Sequence, residues 1–132
     1  MSSLIGIVSK IEKIDNLTLV TFDIESISLQ MISLELNSSI EINTQVKLSI
    51  KPTSISLIKH TDGLNISSNY IKTTIKSITI GKILSSVILD LNNTLIESII
   101  TTNSLNNLNL KKDEKITALI NQADISILEI IK

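Results

Sequence analysis

The sequence predicts an all-β protein made of two small five-stranded barrels in tandem. Three observations predict it. Apolar residues recur with a period of two along most of the chain. Ile, Leu, Ser, Asn and Thr dominate, so β-branched content is high. One frame of residues occurs twice, which marks an internal duplication.

The elements follow in chain order. In "LTLVTFDI" (17–24) Val20, Phe22 and Ile24 share one face, with Leu17 and Leu19 on the other. "VKLSI" (46–50) turns Val46, Leu48 and Ile50 inward and Lys47 and Ser49 outward, and "ISLI" (55–58) resumes after Lys51-Pro52-Thr53-Ser54. The second half gives strands at "IKTTIKSITI" (71–80), "ILSSVILDL" (83–91), "TLIESII" (94–100), "ITALI" (116–120) and "ISILEII" (125–131). Several are apolar on both faces, as barrel strands are when their outer side meets another subunit. Turn chemistry falls at Asp15-Asn16, Asn37-Ser38-Ser39, Asp62-Gly63, Gly81-Lys82, Asn92-Asn93 and Lys112-Asp113. Asn92-Asn93 predicts a hairpin. Only "TTNSLNNLNL" (101–110) reads as a helix, capped by Thr101 or Thr102, with Leu105 and Leu108 as its apolar stripe.

Aligning "IKPTSISL" (50–57) with "INQADISI" (120–127) gives a spacing of 70, and "IVSKI" (7–11) with "TIKSI" (74–78) a spacing of 67. The second copy is therefore about three residues longer in its middle, where the helix falls. The polar stretch "KHTDGLNISS" (59–68) is the expected linker. The expected units are 1–60 and 65–132. Each alone is marginal in size, so packing or oligomerisation is expected.

Composition excludes several classes of function. The 132 residues carry 12 basic and 13 acidic side chains and a net charge of −1, with no block of one sign. With only Phe22 and Tyr70 as aromatics, a nucleic-acid face built on stacking is not expected. No cysteine is present, so disulfides, thiolate metal sites and cysteine nucleophiles are ruled out. His60, the single histidine, lies in the linker and makes no zinc site. The start "MSSLIGIVSKIEK" lacks a basic segment followed by a long apolar one, and no apolar run approaches about 18 residues. A cytoplasmic protein without membrane association is expected. No nucleophile–base pair is visible, so an enzyme is not expected.

The frame "LxGxVxxI" opening a unit and "LxLxxGxxVxAxIKxSxVxL" closing it resembles the Mop or TOBE domain, an OB-like five-stranded barrel. The opening is "LIGIVSKI" (4–11), with Leu4, Gly6, Val8 and Ile11 in place; the first closing is "VKLSIKPTSISL" (46–57). The second closing is "LNLKKDEKITALINQADISIL" (108–128), with Asp113 in place of the family's glycine. The resemblance spans nearly the whole chain and implies two tandem OB-like barrels, each with at most one short helix. Paired units with nothing appended look like molbindins, cytoplasmic trimers that bind molybdate or tungstate at subunit boundaries. They hold no other cofactor. Such units also sense ligand within transcription regulators, or serve as accessory barrels of transport ATPases.

Molybdate and tungstate are tetrahedral dianions with acceptors only, so their site needs N–H and O–H donors and positive charge. By the resemblance, Lys51 supplies the charge and Thr53 a hydroxyl at the family's Lys-Ala-Ser-Ser corner, where Pro52 removes one backbone donor. The family's Ser-x-Arg-Asn run maps onto Ile66-Ser67-Ser68-Asn69; Asn69 is retained, Ser68 stands where the arginine would be, and Ser67 and Ser68 are taken with Asn69 as candidate contacts. Thr101 and Ser104 match the family's helix start. In the first copy Met1 and Ser2 occupy the arginine run, and Met31 is taken as the residue replacing the helix-start threonine. In the second copy Asn121 and Gln122 replace lysine and alanine, so a full cage has to be assembled across copies or subunits. The alternative is a trimeric interaction or regulatory module that kept the barrel and lost the ligand. In that case Lys51 is a solvated strand-end lysine, and Thr53 and Ser54 bond local backbone.

Overall fold

A computed structural model describes residues 2–59 and 69–132. They form two five-stranded antiparallel sheets, with one short helix and two 3-10 corners. In chain order these are β1 (Ser2–Ile14), β2 (Leu17–Ile24), β3 (Ile27–Ser33), β4 (Gln45–Ile50), a first corner (Pro52–Ser54) and β5 (Ile55–Ile58). Then come β6 (Asn69–Thr79), β7 (Leu84–Leu91), β8 (Thr94–Thr101), α1 (Thr102–Leu108), β9 (Lys115–Ile120), a second corner (Gln122–Asp124) and β10 (Ile125–Ile131). The predicted strands and helix all form. β3 is one that the periodicity did not single out; "ISLQMIS" alternates only as far as Met31, and Ile32 and Ser33 then reverse the pattern.

The duplication is written in the backbone geometry. β1 bulges between Val8 and Lys10, and β6 bulges between Ile75 and Ser77, at the same place in each copy. At each bulge the same pair of bonds recurs. Val8 N–H donates to Thr44 O (2.9 Å) and Asn43 N–H to Val8 O (2.7 Å), while Ile75 N–H donates to Glu114 O (2.8 Å) and Asp113 N–H to Ile75 O (2.7 Å). The turn residues that donate, Asn43 (φ 76°) and Asp113 (φ 69°), are left-handed. That conformation is the one glycine adopts without cost, which accounts for the family's glycine at Asp113. Register also corrects one correspondence. Met31 lies opposite Val20 as Ser98 lies opposite Val87, so Met31 is the counterpart of Ser98, and Leu34 is the counterpart of Thr101. The helix-start threonine is thus replaced by Leu34 in the first copy.

The sheets do not coincide with the two sequence copies. One runs β10-β4-β1-β2-β3, and the other β5-β9-β6-β7-β8. Each copy sends its last strand into the other's sheet, β5 beside β9 and β10 beside β4. The crossing is pinned by register: Ile50 lies opposite Ile125, and Ile120 opposite Ile55. The two corners that carry the crossing strands are therefore brought to one place between the barrels.

Each barrel is filled by the inward positions of its strands. Val8, Val20, Phe22, Leu29, Val46, Leu48 and Ile50 are fully buried in one, and Ile75, Val87, Leu89, Ala118 and Ile120 in the other. Each large apolar side chain among them contributes about 1.5–3 kcal/mol by leaving water. Gly6 belongs to this packing, because a Cβ there would stand 3.2 Å from both Ile24 Cγ1 and Phe22 Cβ. Its counterpart Thr73 fits because its buried hydroxyl donates to Ile116 O at 2.9 Å.

Candidate functional site

The predicted site begins at the first corner. β4 ends at Ile50, Pro52 fixes φ at the first position of the 3-10 turn, and Ser54 N–H closes it on Lys51 O at 2.9 Å. Lys51 stands at the N-cap with no side-chain capping bond, exposed, and with no ion pair among the described residues. Thr53 is exposed on the same turn. The second corner repeats the backbone, Asp124 N–H to Asn121 O at 3.0 Å, with different chemistry. Asn121 Oδ1 accepts from Ala123 N–H at 2.9 Å, so asparagine caps the turn where the first copy presents a cation.

The other predicted residues are occupied elsewhere. Asn69 opens β6 with its side chain buried and spanning to β3: Nδ2 donates to Gln30 O and Oδ1 accepts from Gln30 N–H, both at 2.8 Å. The amide thus acts as one rung of β-ladder between the sheets. Gln122 Nε2 reaches the same residue, donating to Gln30 Oε1 at 3.0 Å. Thr101 caps α1 by accepting from Ser104 N–H at 3.1 Å, and its own hydroxyl donates to Ser104 Oγ at 2.8 Å. Ser104 keeps its hydroxyl proton for another acceptor. Thr101 lies three residues beyond Ser98, whose buried hydroxyl donates to Ile55 O at 2.8 Å where β5 leaves the first corner. β8 packs on the first corner, and the helix start follows three residues beyond Ser98 on the same strand. Ser67, Ser68 and His60 lie outside the described residues.

Around Lys51 the structure places groups that sequence reasoning had not joined to it. Ser49, Lys51, Ala123, Asp124, Ser126 and Leu128 line a cleft of about 300 Å³ where the copies cross. Two, Ser49 and Lys51, come from the first copy and the other four from the second corner and β10, which only the strand exchange brings together. The one signal for it was Ser49, a hydroxyl between two apolar residues of a strand. A second cation, Lys59, is fully used. Its Nζ donates to Leu108 O (2.7 Å) and Asn109 O (3.3 Å) at the end of α1 and pairs with Glu114 Oε2 (3.2 Å). No group of three or more His, Cys, Asp or Glu side chains suited to a metal ion occurs among the described residues. Nor does any helix among them have the length and apolarity to cross a membrane.

Comparison with known proteins agrees with this architecture. Residues 67–127 match the TOBE domain family. The whole fold matches a molybdate-bound crystal form of the cytoplasmic molybdate-binding protein ModG, with a TM-score of 0.89 and 23% sequence identity, over 95% of this chain and 93% of that one. No curated protein sequence matches the chain. The protein therefore has the tandem, OB-like barrel fold seen in ModG, and its second half is similar to the TOBE domain family.

Proposed function

We propose that this chain is an intracellular, cytoplasmic and non-catalytic oxyanion-binding protein, serving storage or homeostasis of molybdate or tungstate as a homotrimer. The observation that carries the proposal is Lys51, a cation held on a rigid turn at the crossing of two Mop/TOBE barrels and left without a counter-ion among the described residues. Its turn also presents Thr53, and the fold is one in which ModG binds molybdate. In this proposal Lys51 and Thr53 contact the anion, with Ser67, Ser68 and the free proton of Ser104 as further donors. Asn69 and Thr101 hold the framework, since their polar groups are engaged. Nucleic acid and membrane are not partners of this surface.

A second reading, a barrel module without ligand, is favoured by those same engagements and by Asn121 at the other corner. Calorimetric titration of anion-stripped protein with molybdate, with sulfate as control, separates the two. Saturable binding at micromolar levels or tighter is expected, weakened at least tenfold by Lys51→Ala. A folded protein that takes up no molybdate establishes the module instead.

A further inference from the structure

The two barrels close their seams differently. The edge strands of the second sheet are β5 and β8, and Ser98 joins them by donating its hydroxyl to Ile55 O at 2.8 Å. The edge strands of the first sheet are β10 and β3, where the counterpart of Ser98 is Met31, whose thioether has no proton to give. After β8 the chain forms α1 and buries Leu105, whereas residues 34–44 form no helix after β3. The first seam therefore remains a groove of about 820 Å³ along β10. Leu34 (73% exposed), Leu36, Leu128 and Ile130 give it an apolar lining, and its charged side chains are Glu35 and Glu129. No cation lines it, and neither carboxylate is ion-paired among the described residues. Lys47 stands opposite Glu129 in register but makes no ion pair with it.

The inverse surface stands on the second barrel. The β6–β7 tip carries exposed Ile80, Ile83 and Leu84 around Lys82, a cation with no ion pair among the described residues. This tip is held in one shape. Thr102 N–H donates to Ile83 O and its hydroxyl to Gly81 O, both at 2.8 Å, and Ser85 Oγ lies 2.8 Å from the same hydroxyl. A Cβ at Gly81 would stand 2.2 Å from Leu84 O, so only glycine permits the turn. A preformed tip loses little freedom on docking. Its apolar side chains are exposed, so it does not fill the groove of its own chain. The matching β1–β2 tip lacks the net charge, since Lys13 and Asp15 flank Ile14 and cancel.

We propose that the β6–β7 tip of one copy docks in the β3–β10 groove of a second copy of this chain. Ile80, Ile83 and Leu84 cover the apolar lining, and Lys82 enters between Glu35 and Glu129. Charge complementarity selects the pairing: the groove is acidic and the tip basic, while tip-on-tip or groove-on-groove contact sets like charges together. The contact joins unlike surfaces on opposite barrels, so it runs head to tail, and each copy offers one tip and one groove. Repeated around an axis it closes a ring. The proposal rests on the homotrimer above, as a ring of three, and adds the surfaces that build it.

Sedimentation velocity over a dilution series tests the contact through charge reversal at exposed, unpaired side chains. Lys82→Glu, and separately Glu35→Lys with Glu129→Lys, are each expected to weaken assembly by about tenfold or more, because like charges then meet. Circular dichroism is expected to show the wild-type fold in each. All three substitutions in one chain restore opposite charges and are expected to return assembly to within about threefold of wild type, the signature of direct coupling. An oligomer that survives both reversals, or a combined variant that stays dissociated, would overturn this contact and leave the trimer to other surfaces. Wild-type protein that is monomeric at micromolar concentration would overturn the contact and the trimer together.

Discussion

Asn69 shows how one side chain serves as secondary structure. A strand at the rim of a sheet leaves N–H and C=O groups without partners, and Gln30 on β3 is such a rim residue. The Asn69 amide presents one of its N–H donors and its oxygen at the spacing of a peptide group, and it satisfies both backbone groups of Gln30. Asn69→Ala leaves two part-buried backbone groups unpaired and should cost about 2–6 kcal/mol, at about 1–3 kcal/mol for each group. Urea denaturation reads this loss; a variant as stable as the parent would show that water replaces the amide at no cost. The sequence frame marks Asn69 as an anion contact, and the fold engages its amide with Gln30. Sequence gives a residue's type and place in a motif, while its partner, 39 positions back on another sheet, comes only from the fold. The same holds for Thr101, which the sequence placed correctly at a helix start and whose hydroxyl the helix itself consumes.

At the scale of elements, period-two patterning located most strands because each has a wet and a dry side, as the alternating burial along β2 and β7 shows. The three-residue difference between copies was also legible, and it falls at α1. The partnership of the final strands was not legible. β5 and β10 both begin with Ile-Ser and alternate alike, so either fits beside β4 or β9, and the sequence pattern favours neither arrangement. In the fold each 3-10 corner leads its final strand into the other copy's sheet. The exchange has a direct consequence for dissection. A fragment covering 65–132 lacks β5 and holds a β10 whose partner β4 is gone. It should not persist as a folded monomer. Circular dichroism with sedimentation velocity should show an unfolded chain or an exchanged dimer, and a compact folded monomer would mean that β10 can close its own copy's barrel.

The whole molecule keeps apolar side chains on its surface at defined places. Ile14 (74% exposed) and Leu17 sit at the tip of the β1–β2 hairpin, and Ile80, Ile83 (74% exposed) and Leu84 at the tip of the matching β6–β7 hairpin. Ile5, Ile7 and Leu128 add to the outer face of the first sheet. Single exposed apolar residues are ordinary, but apolar residues at the same hairpin tip in both copies, with Leu17 and Leu84 equivalent, mark surfaces that meet other protein. Assembly should therefore be tighter than ligand binding. Light scattering on serial dilution is expected to show an oligomer, with three copies as the proposed number, into the low micromolar range. Replacing Ile14 and Ile83 with aspartate should dissociate it without unfolding the barrels. Wild-type protein that is monomeric at those concentrations would set both the trimer and its intersubunit donors aside.

The crossed strands also set a timetable for the protein's synthesis. The first sheet opens with Ser2–Ile14 but has β10 as its outermost strand, so it cannot be completed until a segment roughly 110 residues later has been made, about ten seconds at typical elongation rates. Until then β4 exposes an unpaired edge to a crowded ribosome exit. The polar residues that border that edge, Gln45, Lys47, Ser49 and Lys51, suit the wait: a strand rich in charge and hydroxyls is a poor template for a neighbouring nascent chain. The cation and hydroxyl that line the cleft at the crossing in the finished protein would then already have guarded an unfinished one.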